Sequence, residues 1–126
     1  ALALEAIDII INEKMIENVR RLEPIFMGGL KKFEELDHIG EARGVGLMGA
    51  LEMVHDKKLK KSFDGSISIG ERVANKCIEN GLICRPLGPS IVLCPPFITS
   101  DDEMEIIFDT LDKTLKKVFS EVKSLI

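Results

Sequence analysis

The sequence predicts an α+β domain, a two-layer sandwich in which a small, mainly antiparallel sheet is covered by helices. Three observations carry this expectation. Apolar residues recur at three- to four-residue spacing in separate stretches, the mark of helices with one buried face. Between them lie short apolar runs punctuated by Gly, Pro and Asn, the mark of strands and turns. The order is helix, helix, strand, helix, strand, strand, helix, with helices interrupting and following a few strands. A sheet of this kind buries one face under its helices, and its other face or its edge needs another cover.

The first helix is expected over residues 1–22, where Leu4, Ile7, Ile11, Met15, Val19 and Leu22 form one stripe. Glu23–Pro24 should end it, because a residue before proline avoids the helical region. Phe26, Leu30 and Phe33 suggest a second short helix, weakened by Gly28 and Gly29. Arg43 to Val54 reads as one long strand with Val45, Leu47, Leu51 and Met53 on one face. The lysine-rich run from His55 to Gly65 reads as a solvated loop.

Ser66 is placed to cap a helix running to Asn80, with Ile69, Val73, Ala74, Cys77 and Ile78 on its buried side and Asn80–Gly81 as its stop. Leu82 to Arg85 and Ser90 to Cys94 then form a hairpin around Pro86–Pro89. Ser100 and Glu103 make a capping box. The helix it opens carries Met104, Ile107, Phe108, Leu111, Leu115, Val118, Phe119 and Val122 along one stripe.

Composition narrows the function classes. Residues are 45% apolar and 30% charged, as in ordinary globular chains. The net charge of −4 gives no reason to expect nucleic acid or an anionic membrane as partner. No apolar run is long enough to span a bilayer as a helix. The three cysteines, Cys77, Cys84 and Cys94, leave one unpaired in any disulfide scheme and all sit in apolar contexts. Buried, reduced thiols in a cytoplasmic protein follow. His38 and His55 lie at no ligand spacing from a cysteine, so no metal site is expected. Because the chain opens inside a helix with neither Met nor cap, it is expected to be a piece of a longer protein.

Gly44-Val-Gly46-Leu-Met-Gly49 matches GxGxxG letter for letter. Dinucleotide binding needs a strand before that motif and a helix N-terminus at its end. Here a polar connector precedes it and the motif lies within a strand pattern, so its glycines are expected to serve packing. Arg85 is the candidate binding residue. It stands at the end of a short apolar strand beside a tight Pro/Gly turn, a good mount for a five-donor anion-binding fork. The competing reading is a surface arginine paired with a neighbouring acid.

Several segments together resemble the C-terminal domain of class III, pyridoxal-phosphate-dependent aminotransferases of the omega-amino-acid:pyruvate type. They are the opening Ala1–Ile10 helix, Arg43-Gly-Val-Gly-Leu-Met48 with Leu51-Glu52, Gly81-Leu-Ile83, Arg85, Leu93-Cys-Pro-Pro-Phe-Ile-Thr99 and the acidic start of the last helix. The resemblance implies the small domain of the fold-type I transferase fold, with residues 1–22 as an interdomain-type helix and 23–126 as the domain proper. It implies a homodimeric parent that moves an amino group between an amine or ω-amino acid and a keto acid such as pyruvate. It assigns Arg85 to the substrate carboxylate. Pro89 departs from the pattern and implies a stiffer turn.

The resemblance also puts the cofactor lysine and its partners outside this chain. Lys57, Lys60, Lys76 and Lys113 lie on polar stretches, so no catalytic, cofactor-binding or metal residue is expected here and the chain alone should be inactive. The alternative is a stand-alone α+β binding or oligomerisation module without catalysis.

Overall fold

The computed structural model describes residues 1–126. Four helices run Leu2–Asn12 (α1), Met15–Lys32 (α2), Ile69–Glu79 (α3) and Asp101–Val122 (α4). Five strands run Ile39–Val45 (β1), Met48–Asp56 (β2), Lys61–Ser62 (β3), Arg85–Leu87 (β4) and Ser90–Leu93 (β5). The main sheet has the order β1-β2-β5-β4, with β3 paired to β2 off that path, and every pairing is antiparallel. Helices α2, α3 and α4 share one core with the face of the sheet that carries Ala42, Leu51, Ile91 and Leu93. The expected α+β sandwich is the observed one.

The N-terminal helices divide elsewhere than expected. Pro24 lies inside α2, and the break falls at Glu13–Lys14, with Lys14 left-handed at φ 51°. A proline in a helix interior costs about 3 kcal/mol. Leu22, Phe26 and Leu30 flank it and are fully buried, each worth about 1.5–3 kcal/mol of burial. Burial on both sides of the proline outweighs the lost hydrogen bond. No such force acts on α1, which buries none of its residues, so the chain turns where packing on the core begins. Asn18 and Arg21 of α2 then hold the segment entering α4: Asn18 Nδ2 donates to Phe97 O at 2.7 Å, and Arg21 pairs with Asp101 at 2.7 Å.

The single strand expected over Arg43–Val54 is a hairpin, β1 and β2, turning at Gly46–Leu47 with Val45 opposite Met48. Gly46 has φ +57° at the first loop position, as a two-residue turn with leading glycine requires. Leu47 is buried although it sits in the turn, so the apolar alternation continues through the reversal and conceals it. Gly44 and Gly49 face each other across this hairpin, and strand rather than helix follows Gly49. A Cβ on Gly49 would come within 2.9 Å of the Phe26 ring and closer still to Leu30. The glycines let α2 lie directly on the sheet.

Asp64, rather than Ser66, caps the next element, accepting from Ser66 N–H at 2.9 Å at the start of a 3₁₀ turn, Gly65–Ile67. Ser68, left-handed at φ 48°, then admits α3. Ile78 faces solvent, while Ile69, Val73, Ala74 and Cys77 are buried as expected. Cys94 is exposed, because the alternation that turns Ile91 and Leu93 inward turns it away. His38 packs between the Phe63 and Phe119 rings, its Nδ1 3.1 Å from Val54 O. The bonds to Pro95 and Pro96 are trans.

The capping box forms as expected: Glu103 N–H donates to Ser100 Oγ at 3.2 Å and Ser100 N–H to Glu103 Oε2 at 2.8 Å. Ser100→Ala should lower stability by about 1 kcal/mol. A thermal melt checks it, and an unchanged midpoint would deny the box any role.

Candidate functional site

The β4–β5 hairpin turns at Gly88–Pro89 and pairs Arg85 with Val92, Pro86 with Ile91 and Leu87 with Ser90. Ile91 and Leu93 belong to the core, so alternation puts Val92, and with it Arg85, on the face that no helix covers. The register extends across the sheet: Arg43 opposes Ala50, Ala50 opposes Val92, and Val92 opposes Arg85. One row of the open face therefore carries an arginine at each edge and a small apolar floor between them. Three strand spacings separate the two, about 14 Å between Cα atoms.

The two arginines differ in what holds them. Arg43 bridges Glu41 at 2.9 Å and Glu52 at 2.7 Å, and bonding to Glu52 raises its pKa above the ordinary value. Arg85 is exposed and takes part in none of the chain's ion pairs. The surface-pair reading of Arg85 thus lacks its acid, and the guanidinium is left with all its donors to offer. The preceding Cys84 is buried against Cys77 of α3, and bonding to Cys77 together with burial pushes its thiol up, away from thiolate character. It anchors the base of the hairpin.

Sequence reasoning found Arg85 and the hairpin but not the row that joins it to Arg43, because strand register is set by pairings distant in sequence. The charged alternation of Glu41 and Arg43 was the available signal for that face.

Comparison with known proteins settles the family. The family profile described as aminotransferase class-III matches residues 1–115. The chain belongs to the class-III aminotransferases. An adenosylmethionine-8-amino-7-oxononanoate aminotransferase of Methanocaldococcus jannaschii is 36% identical over 115 residues, 91% of this chain and 25% of that protein. Among solved structures, an omega-transferase from Vibrio fluvialis JS17 superposes with a TM-score of 0.95 at 56% identity, over 97% of this chain and 29% of that one. An omega-aminotransferase from Paracoccus denitrificans gives 0.93 at 56% identity, over 95% and 27%. This class-III chain spans about a quarter of the length of the curated relatives it matches.

Class-III aminotransferases depend on pyridoxal phosphate, and no lysine of this chain fits the covalent link to that group. A lysine that binds it needs a desolvated ammonium of lowered pKa. Every lysine here is exposed except Lys76, which is half-buried and paired with Glu79 at 2.6 Å. That pairing raises the Lys76 pKa, the wrong direction for a nucleophile. What the chain does present is an open sheet face with the unpaired Arg85 at its edge.

Proposed function

We propose that this chain is the C-terminal domain of a pyridoxal-phosphate-dependent enzyme that moves an amino group between an amine or ω-amino acid and a keto acid such as pyruvate. In this reading Arg85 binds the substrate carboxylate. The observation that carries it is the exposed, unpaired guanidinium of Arg85 on the uncovered face of the sheet, in a chain 56% identical to the structure of an omega-aminotransferase. A planar fork binds a carboxylate through two parallel N–H···O bonds and fixes its orientation as well as its position. The net reaction balances as amine plus keto acid giving ketone, or aldehyde, plus amino acid. This chain's part is to hold and orient the acid. Proton transfer and the cofactor belong to the rest of the enzyme.

The same reading gives the uncovered surfaces a purpose. Leu2, Leu4, Ile7, Ile9 and Ile11 of α1 are all exposed, and residues 1–22 serve as the interdomain connection to a catalytic domain, with 23–126 as the domain proper. The parent works as a homodimer, and three free cysteines are consistent with a reducing, cytoplasmic setting.

The test is direct. The full-length protein is incubated with pyridoxal phosphate, pyruvate and a panel of ω-amino acids and carboxylate-free amines, and alanine is measured. Alanine formed from these donors supports the reading, and none from any donor rejects it.

A further inference from the structure

Of the ten glycines, Gly70 is the one whose missing side chain bears on the hairpin that carries Arg85. It is the second residue of α3 and is buried. A Cβ here would overlap Gly88 O outright and come within 3.2 Å of Ser90 O. Both are backbone atoms, so no side-chain rotation relieves the overlap. The crowding at Gly29, by contrast, comes from the Phe108 ring. The turn is also tied on its other side, where Met53 N–H donates to Pro89 O at 3.0 Å. Gly88, at φ +58°, is in the left-handed region that favours glycine. The turn is thus held between the bare Cα of Gly70 and the backbone of β2.

We propose that Gly70 is a positioning residue for carboxylate recognition: its lack of a side chain lets the Gly88–Pro89 turn seat on α3, and that seat sets where the hairpin presents Arg85. The inference rests on the carboxylate role assigned to Arg85 above. If a methyl group is added, either the helix or the hairpin must yield. Ile69, Val73, Ala74 and Cys77 anchor α3 in the core at 0–2% exposure. In contrast, β4 is an edge strand whose Arg85, Pro86 and Leu87 are all exposed. The hairpin yields. Its two strands are paired through Leu87↔Ser90 and Arg85↔Val92, so displacement at the turn carries to Arg85 at the other end.

The experiment uses the full-length holoenzyme and one ratio: kcat/KM for alanine divided by kcat/KM for 1-phenylethylamine, a donor without carboxylate. Because both are measured on the same preparation, loss of folded protein cancels. Gly70→Ala is expected to lower the ratio about tenfold, since displacement on the ångström scale carries large penalties in oriented binding. Gly65→Ala, where nothing lies within 4 Å, should leave it unchanged. Should Gly70→Ala not fold, Pro89→Gly loosens the seat without adding volume and should move the ratio in the same direction by less.

If Arg85→Ala lowers the ratio while Gly70→Ala, or its substitute Pro89→Gly, leaves it unchanged, the positioning role alone is overturned. If Arg85→Ala also leaves it unchanged, the carboxylate reading falls and takes this inference with it. A Gly70→Ala loss equal for both donors likewise overturns the positioning role, because a purely structural defect would not distinguish them.

Discussion

Arg85→Ala in the full-length enzyme is expected to raise KM for carboxylate-bearing donors and keto acids about ten- to a hundredfold, while sparing an amine donor that has no carboxylate. The magnitude follows from the bonds removed. A charge-assisted hydrogen-bonded pair contributes about 1.5–3 kcal/mol, and each 1.4 kcal/mol is a tenfold change in affinity. The selectivity follows from geometry: Arg85 is the end of an exposed row whose neighbours Val92 and Ala50 hold no charge, so truncation removes the fork without unseating a partner. Arg85→Lys should recover only part of the loss, because an ammonium keeps the charge but not the two-pronged donor geometry. Steady-state kinetics with alanine and with 1-phenylethylamine decide it. Equal losses for both donors would mean that Arg85 supports the hairpin rather than the substrate.

The parts of this fold that could be read in the sequence are those written in neighbouring residues. The capping box of α4 is complete within Ser100–Glu103, and its stripe from Met104 to Val122 reports burial directly. The hairpin carrying Arg85 was legible only in part: Pro86–Pro89 contains its turn, but the first strand is Arg85–Leu87 rather than Leu82–Arg85, so Arg85 opens that strand instead of ending it beside the turn. The misreadings occurred where packing overrode local chemistry. Pro24 is a local stop signal, but the buried residues on either side of it hold one helix together. Lys14 breaks the chain without glycine or proline, because the core stops pulling there. At Gly46–Leu47 the turn was hidden by the burial of Leu47, which continued the alternation of a strand.

The site divides in the same way. Arg85 and its exposed mount follow from local sequence, whereas the row to Arg43 and the seat on Gly70 depend on pairings between distant segments. Gly70 gave only a faint sign of itself, as a weak helix former in the first turn of a helix where alanine would be preferred.

Phe26→Ala is expected to be among the most destabilising single changes, at about 3–5 kcal/mol for a fully buried phenylalanine, a large share of the roughly 5–15 kcal/mol that holds a typical domain folded. Phe26 is completely buried, stacks on Phe108 with ring centroids 6.3 Å apart, and overlies the bare Gly49 of β2. Gly49→Ala should destabilise for the opposite reason, since its Cβ would crowd Phe26 and overlap Leu30. The two changes are therefore not independent. Removing the ring opens space that the new methyl group can partly occupy, so the double variant should be more stable than the sum of the single effects predicts, by about 0.5–3 kcal/mol as for contacting residues. Thermal midpoints of the wild type, both single variants and the double variant test this. Strict additivity would mean that the Phe26 ring does not share the space a Gly49 methyl group would enter, and that Leu30 alone carries the crowding.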